Sequence, residues 1–260
     1  MAVTYLDRIL AHHRDRVAGD RRDLAALAAL AADTAPTRGF RSALAAAAGL
    51  GVIAEVKRRS PSRGDLNPGL DPAVLAADYE RGGATCLSVL TDAAHFGGSA
   101  DDLRRARAAT GLPVLRKDFT VAPVDVYETR IIGADAVLLI AAALDDDELV
   151  TLHGLARDLG LDVLVEIHDE AELERAVSIG ADLVGVNQRD LVTFEVDQQR
   201  AGRLAPLMPP DVVRVAESGV RGPGDGALLA SVGYHAVLVG EALVTSGDAA
   251  QATAALRACA

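Results

Sequence analysis

The stretch "IIGADAVLLI" (131–140) ends one element and begins another within ten residues. A helical run closes on Gly133, and an apolar run from Ala136 to Ile140 follows almost at once. Glycine tolerates the left-handed conformation that terminates a helix, so the stretch reads as a helix-to-strand turn. The same construction recurs in "RGGATCLSVL" (81–90), "SIGADLVGV" (178–186) and "SVGYHAVLVG" (231–240). Outward from these turns, strands are expected at 52–56, 86–90, 113–117, 136–140, 163–167, 183–187, 213–217 and 236–240. None alternates simply, as befits parallel strands buried on both faces. Helical spacing fills the gaps, with Asp71, Asp145 and Asp169 placed to cap helix starts and Pro72 at a first helical position.

Eight strands, each followed by a helix, read as one (β/α)8 TIM barrel. An open doubly wound sheet is the rival, but it seldom needs eight such regular units. Residues 1–50 look helical and are expected to pack on the barrel as an N-terminal extension. No linker divides the chain, so residues 1–260 are read as a single domain.

Composition narrows the function. Aromatics are only 3%, so the core must be Ala, Val, Leu and Ile, and the net charge of −11 argues against a general nucleic-acid binder. A small anionic ligand remains compatible if positive charge is gathered locally. Cys86 and Cys259 form no framework, which points away from disulfides and towards a reducing compartment. The start, "MAVTYLDRILAHHRDR", has no signal-peptide core, and no apolar run approaches the ~18 residues of a membrane span. A soluble cytoplasmic protein without membrane contact is expected.

In such barrels the reacting groups sit at the carboxyl ends of the strands. The polar residues there are Glu55 and Lys57 on the first strand, Lys117 on the third, Glu166 on the fifth, Asn187 on the sixth and Glu217 on the seventh. Arg189 follows directly after the sixth. Each alone reads as an ordinary strand-end charge. Together, three acids and three bases at one end form a constellation that burial would tolerate only if paired or functional. "ESGV" (217–220) and "GEAL" (240–243) follow strands seven and eight, where barrels commonly bind phosphate through backbone N–H groups.

With those residues in hand, the chain resembles the indole-3-glycerol-phosphate synthases of tryptophan biosynthesis. The matching stretches are "IAEVKRRSPSRG", "SVLTDAAHFGGS", "LRKDF", "LVEIHDEAELERA", "GVNQRDL", "AESGV" and "VLVGEAL", in family order from about residue 50 to 243, with "YLDRIL" resembling the family's N-terminal helix. The resemblance implies closure of the indole ring of 1-(2-carboxyphenylamino)-1-deoxyribulose 5-phosphate with loss of carbon dioxide and water, using no metal and no organic cofactor. It implies Lys117 as general acid, Glu166 as general base for the loss of water, and Lys57 as second acid or ion-pair partner. Glu55, Asn187 and Glu217 would hold sugar hydroxyls and orient that pair, and Arg189 would face the substrate carboxylate. Ser60, Ser218, Gly219, Gly240 and Glu241 align with phosphate-binding turns, the last two through their backbone. Phe119, Leu90, Phe96 and Leu138 would line the slot for the aryl ring. The implied partner is one small phosphorylated substrate, and the implied state a monomer or weak homodimer able to associate with other tryptophan-pathway enzymes.

Lys57 and Lys117 would lower each other's pKa while the three glutamates oppose this, with acid and base held apart in the mouth. The basic loop after Lys57 is read as a mobile anion flap. Arg58 and Arg59 depart from the family's usual residues there, and Gln188 stands at a variable position. A phosphoribosylanthranilate isomerase would need Cys near strand one and Asp near strand six, where this chain has Glu55/Lys57 and Asn187. An inactive copy should lose Lys117 or Glu166; a copy serving specialised metabolism stays open. "DDDE" (145–148) reads as a helix cap rather than a metal site, and "GPGDG" (222–226) as a helix start rather than a nucleotide loop. His168 reads as a partly exposed loop residue, and His12, His13, His95, His153 and His235 show no metal-ligand spacing.

Overall fold

A computed structural model describes residues 4–61 and 63–259. Eight parallel strands close into a barrel: β1 (Gly51–Val56), β2 (Cys86–Leu90), β3 (Val114–Lys117), β4 (Ala136–Ile140), β5 (Asp162–Ile167), β6 (Leu183–Asn187), β7 (Val213–Glu217) and β8 (Ala236–Val239). Each pairs with its neighbours in chain order, and β8 returns to β1 in the register Gly51↔Ala236. Nearly every strand residue is buried, which is why these runs carry no polar alternation.

The helix-to-strand turns form as the spacing requires. Gly83, Gly133, Gly180 and Gly233 have φ between 75° and 91°, a region where a Cβ would be strained. At the opposite helix ends, Asp71 accepts from the backbone N–H of Ala73, Asp145 from Glu148 and Asp169 from Glu172. Pro72 opens the first of these helices, "DDDE" is a capping box, and "GPGDG" starts the helix Pro223–Ser231.

Ahead of β1 lie three helices, α1 (Tyr5–Gly19), α2 (Leu24–Ala32) and α3 (Phe40–Ala45). They do different jobs. Phe40 and Leu44 of α3 are fully buried at the amino end of the barrel, where Leu44 approaches Gly51 and the Cys86 thiol meets the Phe40 carbonyl. By contrast, α1 reaches the carboxyl end, where Tyr5, Leu6 and Ile9 face the barrel mouth. Both cysteines are free. No described helix is long and apolar enough to cross a membrane.

The loop after β1 is held at several points. It contains a two-stranded antiparallel ribbon, Arg59–Ser60 with Gly64–Asp65. Arg58 bonds Asp102 at 2.7 Å and the Leu70 carbonyl at 2.7 Å, while Arg59 donates to the carbonyls of Ala94 and His95. These guanidinium groups hold the loop to the body of the protein. Arg63 lines the barrel mouth and pairs with Glu241 at 3.1 Å.

Candidate active site

The strand ends converge on a cavity of about 930 Å3. Register explains the convergence. Lys117 stands opposite Leu90, Glu166 opposite Ile140, and Glu217 opposite Asn187, so the polar residues fall on the last or next-to-last position of their strands. Glu55 and Lys57 bring in the end of β1, and Arg189 enters from just beyond β6. The six ionic groups and the amide named from sequence therefore share one mouth.

Its floor is a network of charges in which the carboxylates are buried and the two lysines largely so. The Lys117 Nζ donates to Glu166 Oε2 at 2.8 Å and lies 3.6 Å from Glu217 Oε2. The Asn187 Nδ2 donates to the other Glu166 oxygen at 2.9 Å. Lys57 pairs with Glu55 at 2.5 Å. Lys117 and Glu166 are thus in contact, not held apart as the sequence suggested, and anything reacting between them must first separate them.

Electrostatics also depart from the expectation for the lysines. Burial of Lys117 opposes its charge, but Glu166, Glu217 and Glu55 outweigh that and hold its pKa above the ordinary lysine value. The carboxylates, not the neighbouring lysine, win. Glu166 is buried too, yet Lys117, His168 and the Asn187 amide keep it below the usual carboxylate range. Glu217 goes the other way: burial, then Glu166 and Glu55, raise it well above that range against the pull of Lys117. Its buried Oε1 has no hydrogen-bond partner, which suits a carboxyl that keeps its proton. Two carboxyls pushed apart in pKa can serve as ionised base and neutral donor in one cavity.

Around this floor the walls divide by chemistry. Leu90, Phe96, Phe119 and Leu138 line one side, with the Phe96 and Phe119 rings 6.4 Å apart. Ser60, Ser218, Gly219, Gly240 and Glu241 line the other. Ser218 and Gly219 both have positive φ, 64° and 74°, which reverses the chain directly after β7. A Cβ on Gly240 would lie 2.2 Å from Glu55 Oε1 and 2.9 Å from Lys57 Nζ, so only glycine lets the backbone pass over that ion pair. The Glu241 carboxylate is engaged by Arg63. Arg189 lines the rim and donates one guanidinium N–H to the Phe194 carbonyl at 2.9 Å.

Sequence reasoning passed over several contributors. His168 is a partly exposed loop residue as expected, but it also borders the site: its side chain is 12% exposed and its Nε2 lies 3.7 Å from Glu166 Oε1. Its position two beyond Glu166, on the same face of an extended chain, was the available clue. The Nδ1 meets Glu172 at 3.0 Å, and although burial opposes the imidazolium, Glu172 and Glu166 raise the His168 pKa. Gln188 is 3% exposed and donates to the Ser218 carbonyl at 2.8 Å, so a position dismissed as variable holds the turn after β7. Tyr5, Leu6 and Ile9 of α1 complete the mouth. The histidines are also less scattered than their spacing implied. His13 and His95 meet at Asp92, outside this cavity.

The model of one protein family, "Indole-3-glycerol phosphate synthase", matches residues 6–256. Curated proteins of that name are similar throughout. The one from Nocardioides sp. is 56% identical over 90% of this chain and 93% of its own length. The one from Hyphomonas neptunium is 47% identical over 98% and 99%. Among solved structures, thiamine phosphate pyrophosphorylase from Pyrococcus furiosus superposes with a TM-score of 0.62 at 17% identity, over 81% of this chain and 95% of that one. N-acetylmannosamine-6-phosphate 2-epimerase from Clostridium perfringens gives 0.61 at 15% identity, over 76% and 89%. Those two likenesses speak to the barrel alone. A family match from residue 6 to 256, with relatives about half identical along nine-tenths of the sequence or more, places this chain in the indole-3-glycerol phosphate synthase family.

Proposed function

We propose that this chain closes the indole ring of 1-(2-carboxyphenylamino)-1-deoxyribulose 5-phosphate, releasing carbon dioxide and water to give indole-3-glycerol phosphate. The observation that carries the reading is the Lys117–Glu166 contact of 2.8 Å at the floor of a cavity with one apolar wall and one wall of small-residue turns. A substrate with an aryl ring at one end and a phosphate at the other matches those walls. Its reacting carbonyl then falls between the two groups.

Lys117 donates a proton to the carbonyl oxygen as the ring carbon bearing the carboxylate attacks. Loss of carbon dioxide restores the aromatic ring. The hydroxyl so formed takes a second proton, from Lys57, and leaves as water while Glu166, already ionised, removes a proton from the new ring. Substrate entry separates Lys117 from Glu166 and so removes the strongest of the three carboxylate influences raising its pKa, which makes the ammonium a better acid at the moment of need. Glu217, whose pKa is raised by burial and by Glu166, can donate a hydrogen bond to a sugar oxygen. Glu55 holds Lys57 beside the turn at Gly240, where the ammonium is placed to act as the second acid. Arg189 offers its remaining donors to the substrate carboxylate. The reading places the reaction in the cytoplasm.

The direct test follows product fluorescence as purified protein is mixed with the carboxyphenylamino-deoxyribulose phosphate. Turnover to indole-3-glycerol phosphate is expected, and its absence from folded protein would overturn the reading. A second prediction concerns His168. Its positive charge helps keep Glu166 ionised, and Glu172 holds the ring in place through its Nδ1 at 3.0 Å. Below the raised pKa of His168 the imidazolium depresses that of Glu166, so His168→Asn should move the acidic limb of the kcat profile to higher pH. An unmoved limb with normal kcat would show that His168 is not the cation that holds Glu166 ionised.

A further inference from the structure

Outside the catalytic cavity, α1 crosses the loop that follows β2. Here His13 of α1, Asp92 and His95 bring together an imidazole nitrogen, a carboxylate and a second imidazole nitrogen, all within 4.8 Å of one another. The Asp92 Oδ2 lies 3.0 Å from His13 Nε2 and 2.9 Å from His95 Nδ1. The carboxylate is held in place because its other oxygen accepts the His95 backbone N–H at 2.7 Å. His13 and Asp92 are 5% and 4% exposed, and the Asp118 Oδ1 stands 3.8 Å from the same His13 nitrogen. A second cavity of about 590 Å3, lined by His12, His13, Asp92, Asp118 and Glu128 and also by Arg16 and Arg116, opens beside them.

We propose that His13, Asp92 and His95 form a binding site for a late first-row divalent cation of the zinc type, which fastens α1 to the barrel. Bonds of about 2.0–2.1 Å in tetrahedral geometry place ligand atoms roughly 3.3 Å apart. The shared oxygen already sits 2.9 and 3.0 Å from the two nitrogens, so a cation replaces two hydrogen bonds with small side-chain movements. Two imidazoles and one carboxylate select a borderline metal over calcium or magnesium, which prefer all-oxygen sets. The adjoining cavity supplies a route in and room for water as the fourth ligand.

The site's position gives it a consequence. None of its three ligands lines the catalytic cavity, so the cation does not enter the reaction. What it joins are two walls of that cavity: α1, which contributes Tyr5, Leu6 and Ile9, and the loop after β2, which contributes Phe96. Occupancy should therefore order the ring-binding side of the mouth and raise thermal stability.

The test uses the full chain, free of any histidine tag and stripped with a chelator, titrated with zinc chloride by calorimetry and with cobalt(II) chloride by visible absorption. One equivalent of zinc is expected at micromolar affinity or better, with a higher melting temperature and cobalt bands of tetrahedral intensity. His95→Ala, at the partly exposed member, should weaken binding by about 100-fold or more, above the 10–100-fold typical of changes outside the ligand shell. His13→Gln should do the same, and circular dichroism checks that each variant is folded. No stoichiometric binding, or equal affinity in His95→Ala, would mean that the cluster is only a hydrogen-bonded tether, and the proposal fails.

Discussion

Replacing Lys117 with alanine should lower kcat by about 100-fold or more, the usual scale for removing a general acid. The loss has two sources. The proton donor disappears, and the carboxyl groups change as well. Glu166 and Glu217 each feel Lys117 as the cation that favours their charge, at 2.8 and 3.6 Å. Without it they remain buried beside each other, and the lowest-energy response is to hold at least one more proton between them. The base is then compromised along with the acid. Lys117→Ala should accordingly show both a low plateau and an acidic limb displaced to higher pH. Substrate affinity should change far less, because the walls that meet the ring and the phosphate remain. Single-turnover measurements across pH separate the two effects. Normal turnover in a folded variant would remove Lys117 from the mechanism.

How much of this was visible in the sequence depends on how local each cause is. The barrel was visible because burial of parallel strands on both faces writes continuous apolar runs, and because Gly133 and its counterparts mark where helices stop. The polar mouth was visible because a charge at the end of an apolar run has few structural reasons to be there. Features fixed by packing between distant segments were not. The amphipathic stripe of α1 says that one face is covered, but not that Ile9 covers a catalytic cavity while Phe40, thirty-odd residues on, plugs the opposite end. His13 and Asp92 are 79 positions apart, so no spacing rule could join them. The ribbon in the loop after β1 has two residues per strand, too few to show a period. The inverted behaviour of Glu217 needed the positions of Glu166, Glu55 and Lys117 together.

The turn "IIGAD" contains a residue whose removal should be the most damaging to stability. Asp135 is completely buried, and its two oxygens accept from the Arg38 N–H at 2.7 Å, the Val114 N–H at 2.7 Å and the Arg107 guanidinium. Those three donors come from the N-terminal extension, the start of β3 and the helix before it. Asp135 therefore joins segments nearly a hundred residues apart at the amino end of the barrel, far from the chemistry. Asp135→Ala would strand two backbone donors and a largely buried guanidinium in a space that excludes water. Breaking a buried ion pair in this way costs about 3–5 kcal/mol. For a chain of this size each kcal/mol moves the melting temperature by roughly 2–4 °C, so a fall on the order of 10 °C is expected in a thermal scan. Asp225→Ala serves as the comparison, because Asp225 pairs with the surface residue Arg221 one helical turn away and should change the midpoint little. Asp135→Asn should fall in between, since its amide keeps one acceptor oxygen but faces donors with its nitrogen. A midpoint for Asp135→Ala matching that of Asp225→Ala would show that the buried acid is not what binds the extension to the barrel.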